Sequence, residues 1–189
     1  MRKFVINSNT ASTSPKISDL KGAGRIDILL HSIISAMFAS NTYRDYVELH
    51  LILNGPPTPP RHITIKYNTE TVISKKNLKK LIEVCLRKYK EGKTTEVNPG
   101  IFVDNMNIEE VVKSFSDEEV FMLDFTGNHI KNYSSEKLQD GVFVLGDYDG
   151  FDKKTKKFLK KNVNRLSLGE QIYFTSQSIT IINYELDNL

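Results

Sequence analysis

The chain has 189 residues, 39% of them hydrophobic and 26% charged. That balance fits a single folded domain, residues 1–189, and excludes the charge-rich, apolar-poor signature of disorder. Lysine and arginine outnumber aspartate and glutamate by 26 to 23, a net charge of +3, too small to mark a nucleic-acid binder without knowing where the charge lies. No run reaches the roughly 18 apolar residues that span a bilayer. The opening MRKFVINSNTAS lacks the apolar stretch of a signal peptide, so a cytoplasmic protein without a membrane partner is expected.

RKFVI (2–6) reads as a strand, and the polar NSNTASTSPKISD after it as a loop. Ile26, Leu29, Leu30, Ile33, Ile34, Met37 and Phe38 recur at three- and four-residue steps and predict a helix, with Gly22 and Gly24 just before it. Val47, Leu49, Leu51 and Leu53 alternate along YVELHLILN (46–54), a strand stopped by the prolines of GPPTPPR. HITIKY (62–67) predicts a second short strand, residues 75–90 a helix, and KEGKTTEVNPG a loop. On that helix Cys85, the single cysteine, shares a face with Leu78, Leu81, Ile82 and Leu86 and reads as a core thiol.

From IFV (101–103) onward, strands alternate with helices: NIEEVVKSF, VFMLDF, GVFVLG, a lysine-rich helix, RLSLG and a C-terminal apolar segment. This rhythm predicts an α/β fold, a mainly parallel sheet flanked by helices. SITIINYELDNL is β-branched enough for a strand, but Ile179, Ile182 and Leu186 fit a helix face, and a helix is expected there.

Three glycine-bearing junctions follow apolar strands: LDFTGN (123–128), VLGDYDG (144–150) and RLSLGEQ (165–171). In open parallel sheets, ligands bind beyond the carboxyl ends of the strands, where such loops converge. Asp147, Asp149 and Asp152 suggest a calcium loop, but its fifth and twelfth positions are Phe151 and Phe158, so no metal is expected. GAGRID (22–27) carries Asp27 where a dinucleotide fingerprint needs its third glycine. The four histidines have no zinc spacing. Lys153, Lys154, Lys156, Lys157, Lys160 and Lys161 decorate one helix, a face suited either to solvent or to an RNA backbone.

DLKGAGRIDILLHSIISAMFAS (19–40), YRDYVELHLILNGPPTPP (43–60), VFVLGDYDG (142–150) and RLSLGEQIYFTSQSITIINYELD (165–187) resemble, in the same order over nearly the whole chain, the archaeal tRNA pseudouridine-54 N1-methyltransferases (the TrmY family) of the SPOUT class. The resemblance implies a C-terminal deep trefoil knot within about residues 118–189, a homodimer, and S-adenosylmethionine held in the knot by the three glycine junctions. It assigns cofactor contacts to Leu123, Gly146, Leu168, Gly169, Glu170, Gln171, Ile172, Tyr173 and Ser178.

On the RNA side the resemblance points to Arg25 and Asp27, within the family's Gly-Arg-Leu-Asp signature, as catalytic residues. Arg44, with Lys153, Lys154, Lys156 and Lys157 of the lysine helix, would face a tRNA partner. N1 of pseudouridine attacks a sulfonium methyl well only as its proton leaves. Asp27 is therefore expected to be a base or an orienting group, and Arg25 to stabilise charge on the neighbouring carbonyl oxygens. The chain departs from the family's pattern where Tyr148 stands for histidine, where Ser176, Gln177 and Ser178 stand for Asn-His-Cys, and around Ser74 to Asn77. Two alternatives stay open from sequence: methylation of rRNA, as in the related Nep/Emg enzymes, and a non-catalytic RNA-binding homologue.

Overall fold

A computed structural model describes residues 1–40, 42–71 and 73–189. In chain order the elements are β1 (Arg2–Ser8), α1 (Ile26–Met37), β2 (Phe38–Ala39), β3 (Thr42–Tyr43), β4 (Val47–Leu53) and β5 (Arg61–Lys66). A 3-10 turn at Lys75–Asn77 leads into α2 (Leu78–Lys88), followed by β6 (Thr95–Asn98), β7 (Ile101–Asp104), α3 (Ile108–Lys113) and β8 (Val120–His129). The chain ends with α4 (Ser135–Gln139), β9 (Val142–Gly146), α5 (Lys153–Asn162), β10 (Asn164–Ser167) and α6 (Thr175–Asp187).

Eight strands form one sheet in the order β10-β8-β9-β1-β4-β5-β7-β6, and β2 and β3 make a separate small ribbon. From β10 to β4 all neighbours run parallel, as alternating strands and helices require. Beyond β4 the pairing turns antiparallel. The strand IFV therefore belongs to the antiparallel part of the sheet, because β7 follows β6 through a tight turn too short for a crossover.

Two more expectations are corrected. The segment KEGKTTEVNPG is not all loop, since Thr95–Asn98 pair with β7 as an edge strand. The helix expected over 75–90 opens with a 3-10 turn, where the Ser74 hydroxyl accepts the Lys76 N–H, and its regular part ends at Lys88. The C-terminal segment is helical, with Ile179, Ile182 and Leu186 buried on one face.

Apolar side chains fill both faces of the sheet. One cluster gathers Ile26, Leu29 and Ile33 of α1, Ile82 and Cys85 of α2, and Ile179 and Ile182 of α6 over the odd-numbered residues of β4. Burial pushes the Cys85 thiol up to about 12, which makes it an inert core group. A smaller cluster lies on the opposite face, with Val111 and Val112 of α3 and Leu159 of α5 against Val144 and Ile52.

β4 is buried on both faces, and its second face brings polar groups inside. His50 Nδ1 lies 2.9 Å from His62 Nε2, and His62 Nδ1 lies 2.9 Å from Asp104 Oδ1. At the other end His50 Nε2 lies 2.8 Å from Glu48 Oε1. Glu48 also takes Lys66 Nζ at 3.1 Å. Burial alone would raise the Glu48 carboxyl, but His50 and Lys66 overcome it and hold the group at about 2.

Candidate active site

At the carboxyl ends of β8, β9 and β10 the three glycine junctions enclose a cleft of about 250 Å³. The first is an excursion inside β8. Arg165 and Leu166, consecutive on β10, pair with Met122 and Asn128, so residues 123–127 are excluded from the ladder and bow toward the cleft. The second follows β9, and the third runs from β10 to α6. Thr175 Oγ1 donates to the Gly146 carbonyl at 2.9 Å and ties the third junction to the second.

Gly146 has no room for a side chain, since a Cβ there would sit 2.5 Å from the Gly150 backbone. Asp147 closes the same turn: its carboxylate accepts from Ser8 Oγ at 2.9 Å, from the Asn9 N–H at 2.9 Å and from the Asp149 N–H at 3.0 Å. Asp152 caps α5 by accepting the Lys154 and Thr155 N–H groups. Two of the three aspartates that suggested a calcium loop, Asp147 and Asp152, are thus committed to the turn and the cap.

Leu123, Gly146, Leu168, Gly169, Gln171, Ile172, Tyr173 and Ser178 all line the cleft, and Glu170 does not. Sequence reasoning missed Thr175, Phe151 and Asp124. Thr175 had a legible signal, a hydroxyl residue opening a helix. Asp124 had none, because it stands in an apolar strand and acquires its surroundings only in the fold. Its Oδ1 accepts from the Thr126 N–H and hydroxyl, while its Oδ2 lies 3.9 Å from both Lys160 Nζ and Arg165 Nη1. Burial works to raise this carboxyl, yet the Thr126 bonds and nearby lysines hold it below the usual range.

Arg25 and Asp27 meet beside the cleft. Arg25 is a left-handed residue at φ 63° preceding the first turn of α1, a conformation that non-glycine residues adopt at a cost and that clusters at functional sites. Its backbone is fixed from below, since a Cβ on Gly24 would meet the Thr10 carbonyl at 1.7 Å. The guanidinium donates from Nε to Asp27 Oδ1 and from Nη2 to Asp27 Oδ2, both at 3.0 Å. This two-pronged pair holds the Asp27 carboxyl below its usual range. The Arg25 guanidinium also lies 5.2 Å from the ring centre of Tyr148, which belongs to the turn whose Asp147 and Gly150 line the cleft.

Of the lysine helix, Lys156 lines the cleft, while Lys153, Lys154 and Lys157 are exposed. Lys154 Nζ lies 3.8 Å from Glu109. Arg44 is not brought to the cleft. It precedes β4, at the amino ends of the parallel strands, where Asp187 accepts from it and from Arg2. The seven residues of β4 put about 20 Å between the two ends of the sheet.

The family model described as "Putative SAM-dependent RNA methyltransferase" matches residues 1–189. The chain belongs to this family. Among its curated relatives, "tRNA (pseudouridine(54)-N(1))-methyltransferase" from Thermococcus gammatolerans is 32% identical over 200 aligned residues, covering 100% of this chain and 98% of the relative. The protein of the same name from Thermococcus kodakarensis is also 32% identical, covering 100% of both. Among solved structures, Archaeoglobus fulgidus Nep1 bound to S-adenosylhomocysteine superposes with a TM-score of 0.60 over 87% of this chain and 71% of Nep1. At 14% identity that likeness speaks for the fold alone. The bare backbone and apolar walls of the three-loop cleft suit a flat nucleoside ligand.

Proposed function

We propose that this protein methylates N1 of a pseudouridine in tRNA, at position 54 of the T-loop, with S-adenosylmethionine as donor. One observation carries the reading: the family's three-loop cleft lies next to a paired Arg25 and Asp27, joined to it through Tyr148. S-adenosylmethionine, when bound, supplies an electrophilic methyl on a sulfonium. Leu123, Gly146, Leu168, Gly169, Gln171, Ile172, Tyr173 and Ser178 would hold it, largely through backbone, and Glu170 would flank them. Serine at 178 suits a site in which backbone does most of the holding.

Toward the nucleobase, Arg25 has the charge to stabilise negative charge growing on a carbonyl oxygen as the N1 proton leaves. Asp27, kept ionised and weakly basic by Arg25, is better suited to orienting that guanidinium than to taking the proton itself. We assign it the orienting role, with the proton passing to solvent. Lys153, Lys154, Lys156 and Lys157 would meet the tRNA backbone beside the cleft. Arg44 would reach RNA only from a second subunit's side, since within one chain it lies at the far end of the sheet.

We also read residues 1–189 as one SPOUT domain whose C-terminal part is knotted. What supports the knot is the route of the chain: after the edge strand β10 it returns past the other two cleft loops to reach α6, which packs on α1. Exposed Ile172, Phe174 and Tyr184 favour a homodimer, and the RNA substrate class a cytoplasmic enzyme.

The decisive experiment incubates the protein with labelled S-adenosylmethionine and tRNA carrying pseudouridine 54, and analyses the nucleosides by mass spectrometry. N1-methylpseudouridine at position 54 is the expected product. Tight cofactor binding without methyl transfer would leave only an RNA-binding homologue, and transfer to rRNA alone would move the substrate.

A further inference from the structure

The α5 lysines adjoin the cleft, but a longer basic run lies elsewhere. Residues 75–93 hold eight cations, four at the start (Lys75, Lys76, Lys79, Lys80) and four at the end (Arg87, Lys88, Lys90, Lys93), against Glu83 and Glu91. This stretch is the 3-10 turn, α2 and the loop after it, packed against β6 and β7 at the antiparallel edge of the sheet. Four strand spacings separate β7 from β9, which puts the run about 20 Å from the cleft.

Some of these cations have protein partners. Lys79 lies 3.8 Å from Glu83, Lys88 Nζ donates to the Val97 carbonyl, and Lys75 Nζ donates to the Ser40 carbonyl. Lys76, Lys80 and Arg87 are exposed and, among the described residues, form no ion pair. Lys76 lies in the 3-10 turn, and Lys79 and Lys80 lie in the first turn of α2, which holds no acidic residue, so positive charge gathers at a helix N-terminus, where it is unfavourable. Beside them a cavity of about 230 Å³ opens between α2 and the β6–β7 edge. Leu78, Leu81, Val84 and Ile101 form its apolar walls, and Asn77 and Asn98 also line it.

We propose that α2 and its flanking turns are a second RNA-contacting surface, whose free cations take a phosphate run while the neighbouring cavity receives one unstacked base. Two observations from different physics meet at one place. An uncompensated cationic face suits a polyanion and releases its counterions on binding. An apolar slot with two asparagines in its lining suits a base, whose ring needs an apolar surface and whose edge needs donors and acceptors. The inference rests on the reading of the protein as a tRNA enzyme and adds where the body of that RNA lies: across the sheet from the cleft, so that a folded RNA is held at two separated points.

The test uses full-length protein and full-length tRNA. Fluorescence anisotropy over 50–200 mM KCl compares wild type with the triple variant Lys76→Glu, Lys80→Glu, Arg87→Glu, and with Leu81→Trp, which fills the cavity. For the triple variant we expect at least a tenfold loss of tRNA affinity and a log-log salt slope shallower by about two. Leu81→Trp should weaken binding several-fold at unchanged slope. Calorimetry with S-adenosylhomocysteine should match wild type in both and reports that the variants fold. A triple variant that keeps wild-type affinity and slope overturns this surface while leaving the tRNA reading intact. Full affinity in Leu81→Trp overturns the base pocket. Wild-type protein that binds S-adenosylhomocysteine but no tRNA overturns both readings at once.

Discussion

The two halves of the sheet solve different problems with different atoms. In the parallel half, the ends of β8, β9 and β10 carry backbone-rich loops, and the groups around the cleft are set by where the chain can approach itself: Gly146 against Gly150, Thr175 against the Gly146 carbonyl. In the antiparallel half, β4, β5 and β7 bury side chains instead, a chain of contacts from Glu48 through His50 and His62 to Asp104. A site built from backbone tolerates changes of side chain but not of chain path. A buried polar chain shows the opposite sensitivity, because each member left without its partner bears an uncompensated desolvation cost.

The largest expected break in this comparison is Gly146→Val. Its side chain cannot fit beside Gly150, so S-adenosylhomocysteine affinity should fall by at least about 1000-fold, roughly 4 kcal/mol, with circular dichroism unchanged. Calorimetric binding within threefold of wild type would show that the cleft does not depend on that close approach.

Next is Glu48→Gln, aimed at the other half. The Glu48 carboxyl is lowered from 4.5 to about 2. The folded state therefore binds its proton later than the unfolded chain does, and the resulting stability is present above pH 4.5 and lost as pH falls toward 2. From that shift Glu48 contributes on the order of 3 kcal/mol at pH 7. Urea titrations should show Glu48→Gln less stable by up to that amount and less sensitive to acid between pH 4.5 and 2, with cofactor affinity at pH 7 unchanged. An unaltered acid profile would remove Glu48 from the account of stability.

Asp27→Asn tests the paired residues beside the cleft. Without the carboxylate, Arg25 loses its two-pronged anchor, and kcat should drop about 100-fold, near 2.7 kcal/mol of barrier, with S-adenosylhomocysteine affinity unchanged. If kcat stays within threefold, Asp27 is only a first-turn helix charge. The smallest effect belongs to Tyr148→Ala. The ring lies 5.2 Å from the Arg25 guanidinium, a contact worth about 0.5–1 kcal/mol at an exposed site, so kcat/KM should fall about threefold. A hundredfold loss would give Tyr148 a direct part in the reaction.

Much of this was legible beforehand, where local chemistry dictates the result. The three-and-four spacing of Ile26 to Met37 suffices for α1, and the apolar runs of 120–123 and 142–145 for β8 and β9. The departures have common causes. Thr95–Asn98 carries no apolar period because an edge strand buries only Val97. Residues 123–127 continue an extended segment yet bow out of the ladder, which depends on where β10 pairs. Arg44 reads like a substrate-binding arginine in its motif, but its position before β4 sends it to the other end of the sheet.

The sequence by itself determined most of the helices and strands, the α/β class, the three glycine junctions and the family, since these rest on periodicity, turn chemistry and the order of motifs. Tertiary structure alone decided that the junctions share one cleft, that Arg25 grips Asp27 beneath Tyr148, that Glu48, His50, His62 and Asp104 line up inside, and that β5 to β6 run antiparallel. Each of these brings together groups far apart in the chain or sets the direction in which a strand enters the sheet. Local sequence encodes the shape of a segment, but which segment it meets is fixed by the packing of the whole.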